Sequence, residues 1–264
     1  MAHAMKKYGI IYCGYNTEDY TLDSIRPFLQ DQNCVVSAVS VPFAEYKNID
    51  SFEDGTTDIL RELVSSGELK YLVDSPKFIS EADARNLALD NLKKYNLDYI
   101  WLVDSDEFYT KRDIEEIQKY VESSSKSLFK ISLRNYVFDT DHYLEEPFCP
   151  PRIFKTKIVI PELENFIELD KFYWDNDICY IFDNKYIKYD DVENLTVIPE
   201  SIAIIKHFTW LNDKIGKRKV EYQHKHFGHC GYRWNSEKES LEFDLDFHKA
   251  NNLEIPTVRC VYDD

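Results

Sequence analysis

Glycine is scarce in this chain, 7 of 264 residues where an average protein carries roughly 7%. Neither G-x-G-x-x-G nor a complete G-x-x-x-x-G-K-[ST] occurs; the nearest match, Gly9 to Gly14, continues Tyr15-Asn16 and lacks the lysine. A nucleotide site here is therefore neither a Walker loop nor a dinucleotide-type glycine turn. The six cysteines (13, 34, 149, 179, 230 and 260) form no C-x-x-C pair, and a chain of this size needs no disulfide staples, so reduced and mostly buried thiols are expected. No apolar run approaches the length of about 18 residues that a membrane span needs, and no leader pattern opens the chain. The expectation is a cytoplasmic protein without a transmembrane segment. Positive charge is also in short supply: 32 Lys and Arg against 48 Asp and Glu leave a net charge of −16, which opposes binding to nucleic acid or to an anionic membrane. A cation-bridged ligand is easier to accommodate.

What the chain does have is 44% hydrophobic and 30% charged residues, ordinary globular usage, and 15% aromatics that can build a core or stack on sugars and bases. Short apolar runs alternate with helix-period segments through the first half, the signature of βαβ units and a largely parallel sheet. The pattern predicts strands at 8–13, 34–41, 71–73 and 99–103, and helices after Thr17, at 57–64, after Ser80 and after Thr110. Ser80 with Asp83 and Thr110 with Asp113 fit helix caps, and Ala84, Leu87, Ala88, Leu92 and Tyr95 follow the helical period. From Leu128 the pattern turns strand-like, over 128–137, 152–160, 172–182 and 201–205. The reading is one domain, 1–264, with a nucleotide-binding lobe over about 5–125 and an acceptor-binding lobe over about 126–264.

Asp-x-Asp occurs four times, which an acidic chain produces by chance, but Asp104/Asp106 stands apart. It follows the apolar run Tyr99 to Val103, so its carboxylates sit just past the carboxyl end of a buried parallel strand, where open α/β sheets bind ligands. Residues i and i+2 leave a strand on the same side and can converge on one hard cation, Mn²⁺ or Mg²⁺, of the kind that bridges carboxylate to diphosphate. Asp139/Asp141 also follows a strand-like run. Arg85, in the first turns of its helix and off the apolar stripe, can reach phosphate or those carboxylates, or pair with Glu81 or Asp83. Five cations, Lys214, Lys217, Arg218, Lys219 and Lys225, gather against the acidic background and could close over a diphosphate, with Lys214 and Lys217 taken as its contacts. The cluster His224, His226, His229 and Cys230 offers an alternative zinc site.

Several segments in order carry a family likeness: the strand ending in Tyr15-Asn16; the helix with Leu22, Ile25, Phe28-Leu29 and Gln32; the pentad Asp54-Gly55-Thr56-Thr57-Asp58; Ala84-Arg85-Asn86-Leu87-Ala88; and Trp101-Leu102-Val103-Asp104-Ser105-Asp106-Glu107. Over roughly residues 8 to 122 the chain resembles the GT-A class of nucleotide-sugar glycosyltransferases, particularly glycosyltransferase family 2. The resemblance implies a GT-A-like, Rossmann-like and mostly parallel central sheet flanked by helices, with a mixed β acceptor lobe. It implies that Tyr15 and Asn16 line the base pocket, that Asp54 accepts hydrogen bonds from base or ribose, and that Asp106 ligates the metal. Asp104 would contact ribose, sugar or metal. The acidic pair of the family directly follows strand two, whereas here residues 42 to 54 intervene.

Relatives of this fold often complete the metal shell with a histidine from the second lobe, which points to His207, placed after the predicted 201–205 strand; an imidazole ligand tilts the preference from Mg²⁺ to Mn²⁺. An inverting transfer also needs a carboxylate to take the acceptor proton, and Asp175 or Asp177 in Trp174-Asp175-Asn176-Asp177 matches that position, with Glu164 and Glu168 as alternatives. The expectation is a metal-dependent hexosyltransferase moving sugar from a nucleoside-diphosphate sugar, UDP-linked, to a hydroxyl acceptor such as a glycan. The rivals are a sugar-nucleotide nucleotidyltransferase and a non-catalytic carbohydrate-binding or interaction protein. Oligomeric state is left open.

Overall fold

The computed structural model describes residues 6–44, 54–160, 165–175, 178–182, 186–188, 195–211, 214–227 and 231–262. The chain opens with β1 (Tyr8–Cys13), α1 (Glu18–Leu29), β2 (Cys34–Ser40), α2 (Thr56–Ser65), β3 (Tyr71–Asp74), α3 (Glu81–Leu92), β4 (Tyr99–Asp104), β5 (Glu107–Phe108) and α4 (Lys111–Ser123). There follow β6 (Leu128–Lys130), β7 (Leu133–Phe138), β8 (His142–Leu144), β9 (Pro151–Lys155), β10 (Lys157–Ile160), β11 (Asn165–Glu168), β12 (Lys171–Asp175), β13 (Ile178–Phe182), β14 (Tyr186–Lys188) and β15 (Leu195–Val197). The remainder is β16 (Ile205–Leu211), α5 (Lys214–Phe227), β17 (Tyr232–Asn235), β18 (Ser240–Phe243), α6 (Leu245–Ala250) and β19 (Val258–Cys260).

Seven strands form the central sheet in the order β15-β6-β9-β4-β1-β2-β3, all parallel except β9, which runs antiparallel to both its neighbours. This is the mostly parallel α/β, GT-A-like architecture that the resemblance implies. Its stability follows from period-2 alternation in strands buried on both faces. Tyr8, Ile10, Tyr12, Trp101 and Val103 turn to the face covered by α1, α2 and α4. Ile11, Cys13, Ile100 and Leu102 turn to the other, packed by Ala84, Ala88, Leu89 and Leu92 of α3 and by Phe172. Both expected caps are present: the Ser80 and Thr110 side chains each accept from the backbone N–H three residues on.

A second sheet, β19-β8-β7-β16-β5, is mixed; β7 and β16 are parallel and β5 lies antiparallel on β16. The two sheets share the turn between Asp104, the last residue of β4, and Glu107, the first of β5. Ser105 donates its N–H to the Cys13 carbonyl on one side (2.8 Å), and Asp106 accepts from the Phe208 N–H on the other (2.9 Å).

Four expectations for the second half change. The 128–137 run divides into β6 in the first sheet and β7 in the second, because β6 reaches Lys130 opposite Pro151, whose nitrogen cannot extend the ladder. Similarly, 152–160 divides at Thr156, and 172–182 falls into the antiparallel pair β12 and β13. The 201–205 strand is a turn, in which Ile202 and Ala203 donate to the Pro199 carbonyl; the strand begins at Ile205. His207 accordingly lies inside β16 and not after a strand. Among the described cysteines, 13, 34, 149 and 260 are free thiols, and only Cys13 is fully buried. Among the described residues, no helix is long and apolar enough to cross a membrane.

Candidate functional site

A cleft of about 570 Å³ opens at the carboxyl ends of β1 and β4 and is roofed by α5. The strand-end carboxylates, the Tyr15-Asn16 turn and Arg85 all line it. Asn16 is buried with φ of 56°, a left-handed conformation that asparagine tolerates better than most residues, and its Oδ1 accepts from the Asp54 N–H (3.1 Å).

α3 delivers Arg85 through a helix face that the apolar pattern misstates. Leu87 is 46% exposed, whereas Arg85 joins Ala84, Ala88 and Leu89 on the buried face and is only 4% exposed. Its Nη2 donates to Asp104 Oδ1 at 2.7 Å and lies 2.8 Å from Glu81 Oε1. From the opposite side, Arg152 Nη2 donates to Asp104 Oδ2 at 3.0 Å. Each oxygen of Asp104 thus faces a guanidinium. Burial alone would raise the pKa of this carboxyl, but Arg85 and then Arg152 outweigh it, and the net shift is downward. Any contact of Asp104 with ribose, sugar or metal would use the lone pairs that the two arginines leave.

Asp106 has different company. Its Oδ2 lies 3.3 Å from Nε2 of His207, and the other ring nitrogen, Nδ1, lies 2.6 Å from Asn135 Oδ1. Register explains the trio: His207 pairs with Asn135 across β16 and β7, and with Glu107 across β16 and β5. An Nδ1–H that donates to Asn135 leaves the Nε2 lone pair aimed at a carboxylate, an arrangement that asks for a proton or a cation between the two groups. The 3.3 Å separation is close to the roughly 3 Å between adjacent ligands of an octahedral ion with bonds of about 2.1 Å. Burial raises the Asp106 pKa, but the His207 ring beside it outweighs this, with Lys219 and Arg152 adding, so the carboxyl is held well below its usual range. Among the described residues, no three His, Cys, Asp or Glu side chains gather as a metal cluster. What the cleft offers is a two-residue pair, which suits an ion that completes its shell with phosphate and water.

Asp54 is not a wall of the cleft. Its carboxylate accepts from the Glu18 N–H (3.0 Å), the Thr56 N–H (2.9 Å) and the Thr56 hydroxyl, and lies 3.5 Å from Lys214 Nζ. The carboxylate that was expected on base or ribose instead joins α1, α2 and α5. Burial raises its pKa, but these hydrogen bonds and then Lys214 reverse the shift.

The basic segment is the helix α5. Lys214 turns to Asp54 and Asp19, and Lys217, expected at the diphosphate, lies over the Trp234 ring, 6.0 Å from its centroid, and is not among the residues that line the cleft. Arg218, Lys219, Tyr222 and Gln223 occupy the cleft-facing side instead. Arg218 Nη2 donates to the Tyr15 carbonyl at 3.4 Å, tying α5 to the loop after β1.

Residues 176 and 177 lie outside the described residues, so Asp177 is unplaced; Asp175 ends β12, without a description of its side chain. His229 and Cys230 of the alternative zinc cluster, and Glu164, are likewise outside. His224, a described member of that cluster, directs Nε2 at the Tyr232 carbonyl (3.1 Å). Asp139 caps its own loop and holds His142 at 2.7 Å, and Asp139 and Asp141 do not line the cleft. Burial pushes the Cys13 thiol up to about 12, so it is protonated at neutral pH.

Sequence reasoning missed Arg152 and Asn135, and met Glu107 only as the last residue of the Trp101-to-Glu107 segment. Each is a polar residue within a strand, a signal open to either reading until the cross-strand register is known.

The family model for glycosyl transferase family 2 matches residues 15–236. No curated protein matches the chain. Among solved structures, S. aureus TarS 1-349 in complex with UDP-GlcNAc is similar at 19% identity and TM-score 0.37, over 49% of this chain and 35% of that one. TarS 1-349 alone is similar at 15% and 0.42, over 83% and 64%. The mannosyltransferase PcManGT from Pyrobaculum calidifontis, in complex with GDP-Man and Mn²⁺, is similar at 12% and 0.43, over 86% and 66%. The chain therefore covers between 35% and 66% of the chains in these three structures.

Proposed function

The chain belongs to glycosyl transferase family 2, and from that premise we propose that it transfers a sugar from a nucleoside-diphosphate sugar, UDP-linked, to a hydroxyl acceptor such as a glycan, using a divalent cation held by Asp106 and His207. The observation that carries the reading is the Asp106–His207–Asn135 trio, in which a carboxylate oxygen and an imidazole nitrogen lie 3.3 Å apart at the cleft and the other ring nitrogen meets Asn135 Oδ1. A Mn²⁺ or Mg²⁺ ion there supplies charge that steadies the departing nucleoside diphosphate.

The chain's own residues do the rest. Tyr15 and Asn16 form the base side of the cleft, and Asp104, oriented by two arginines, presents its remaining lone pairs to donor hydroxyls. Arg218 and Lys219 cover the diphosphate from α5 and oppose its negative charge as it leaves. Phe148, 53% exposed at the cleft, and Tyr222 offer ring faces to a sugar acceptor. Transfer inverts the anomeric centre, and Asp175 or Asp177 takes the acceptor proton.

UDP or GDP with Mn²⁺ should raise the Tm, and neither should do so without the ion. Asp106→Ala should abolish that shift and leave the ligand-free Tm nearly unchanged; a full shift in the variant overturns the cation assignment. Asp175→Asn and Asp177→Asn, made separately, should lower turnover more than donor affinity in whichever variant carries the base. Undiminished turnover in both removes this pair.

A further inference from the structure

Arg152 reaches the cleft because β9 runs against its neighbours. A reversed strand brings its first residues, not its last, to the carboxyl edge of a parallel sheet, and Arg152 is the second residue of β9. The side chain is held from behind. Nε donates to Glu107 Oε1 at 2.8 Å, Nη2 bonds the same oxygen, and Tyr109 Oη donates to Glu107 Oε2 at 2.9 Å. Glu107 is fully buried, so the guanidinium is clamped where Nη2 meets Asp104 Oδ2.

We infer that Arg152 is a positioning residue that sets the ion preference of the site: by engaging Asp104 Oδ2 it keeps that carboxylate out of the metal shell and leaves the ion one carboxylate and one imidazole. The inference rests on the cation reading above. Asp104 and Asp106 flank a single residue, so without the clamp both could turn to one ion. A shell with one carboxylate and one imidazole favours Mn²⁺, whereas a second carboxylate oxygen makes the site harder and better suited to Mg²⁺. Arg85 engages the other oxygen from the opposite side, but its second partner, Glu81, is 36% exposed, whereas Glu107 behind Arg152 is fully buried. Arg152 and its buried anchor therefore decide whether Asp104 can turn.

The test is calorimetric titration of the full chain, saturated with whichever of UDP or GDP stabilises it, with Mn²⁺ and separately with Mg²⁺. The variants are Arg152→Gln, Arg152→Lys, and the double variant Arg152→Met with Glu107→Gln, which removes both charges and leaves no buried acid unpaired. The wild type should prefer Mn²⁺. In Arg152→Gln and the double variant the Mn²⁺-to-Mg²⁺ affinity ratio should shrink by roughly tenfold, the scale on which partners of metal ligands act, mainly through tighter Mg²⁺ binding. Arg152→Lys should fall between, since a point charge can serve only one of the two acids well. General loosening of the cleft would weaken both ions in step, so an unchanged ratio in the folded double variant overturns the inference and leaves the cation reading standing. A wild type that binds neither ion with either nucleotide overturns both.

Discussion

Asp104 and Asp106 are two residues apart and chemically identical, yet one is surrounded by the protein's own cations and the other by none that fully occupies it. Asp104 sits between Arg85 and Arg152 at the end of the first sheet, whereas Asp106 faces an imidazole belonging to the second. The difference teaches that a D-x-D spacing fixes where carboxylates emerge but not what they bind. That is decided by the strands that arrive beside them, here a reversed β9 on one side and β16 on the other.

The comparison can be broken at the Asp104 end by Arg85→Met. Removing one partner from a buried ion pair should destabilise the ligand-free protein by about 3 kcal/mol, read by urea unfolding, because Glu81 and Asp104 lose a shared cation. A change no larger than that of Asp106→Ala would mean that the two carboxylates are held alike. At the Asp106 end, Asn135→Leu removes the acceptor that orients the His207 ring and should weaken Mn²⁺ binding about tenfold in calorimetry while altering stability less than Arg85→Met. Unaltered Mn²⁺ affinity would show that the ring needs no such partner.

The smallest effect concerns Asp54, remote from both. A carboxylate whose folded pKa lies below its unfolded value stabilises the fold above the unfolded value, and that contribution disappears as pH falls through the folded one. Asp54→Asn should therefore cost about 1 kcal/mol at neutral pH, in the range of a helix cap, and its stability should fall less steeply than the wild type's below about pH 4. Parallel acid limbs in the two unfolding profiles would remove Asp54 as a clamp.

The first lobe was largely legible in the sequence. Strands buried on both faces and helices with capping side chains announce themselves locally, and β1, β4, α3 and α4 lie within a residue or two of expectation. Arg85 was legible as a functional residue but for an incomplete reason, since its buried position comes from the docking of α3 on the sheet and not from a helical period that seemed to favour Leu87. The second lobe was harder to read because its strands change sheets without a change in composition. Ile202 and Ala203 are covered by neighbouring residues yet sit in a turn, so apolar character there signals burial and not strand. His207 was found by the family resemblance alone; its register partners Asn135 and Glu107 are 72 and 100 residues away in sequence, beyond any local pattern. In α5 the basic run was visible but its facing was not, and the side chains over the cleft are one helical step from those expected.

The hydrogen bond from the Phe208 N–H to the Asp106 carbonyl makes a carboxylate at the edge of the first sheet and an imidazole of the second travel on a common piece of backbone. If the second sheet tilts as substrates enter and products leave, Asp106 and His207 will keep their spacing, and because Glu107 on β5 anchors Arg152, the contact that this arginine makes with Asp104 will shift with them. The pair that grips and the arm that steers its neighbour thus ride on one sheet.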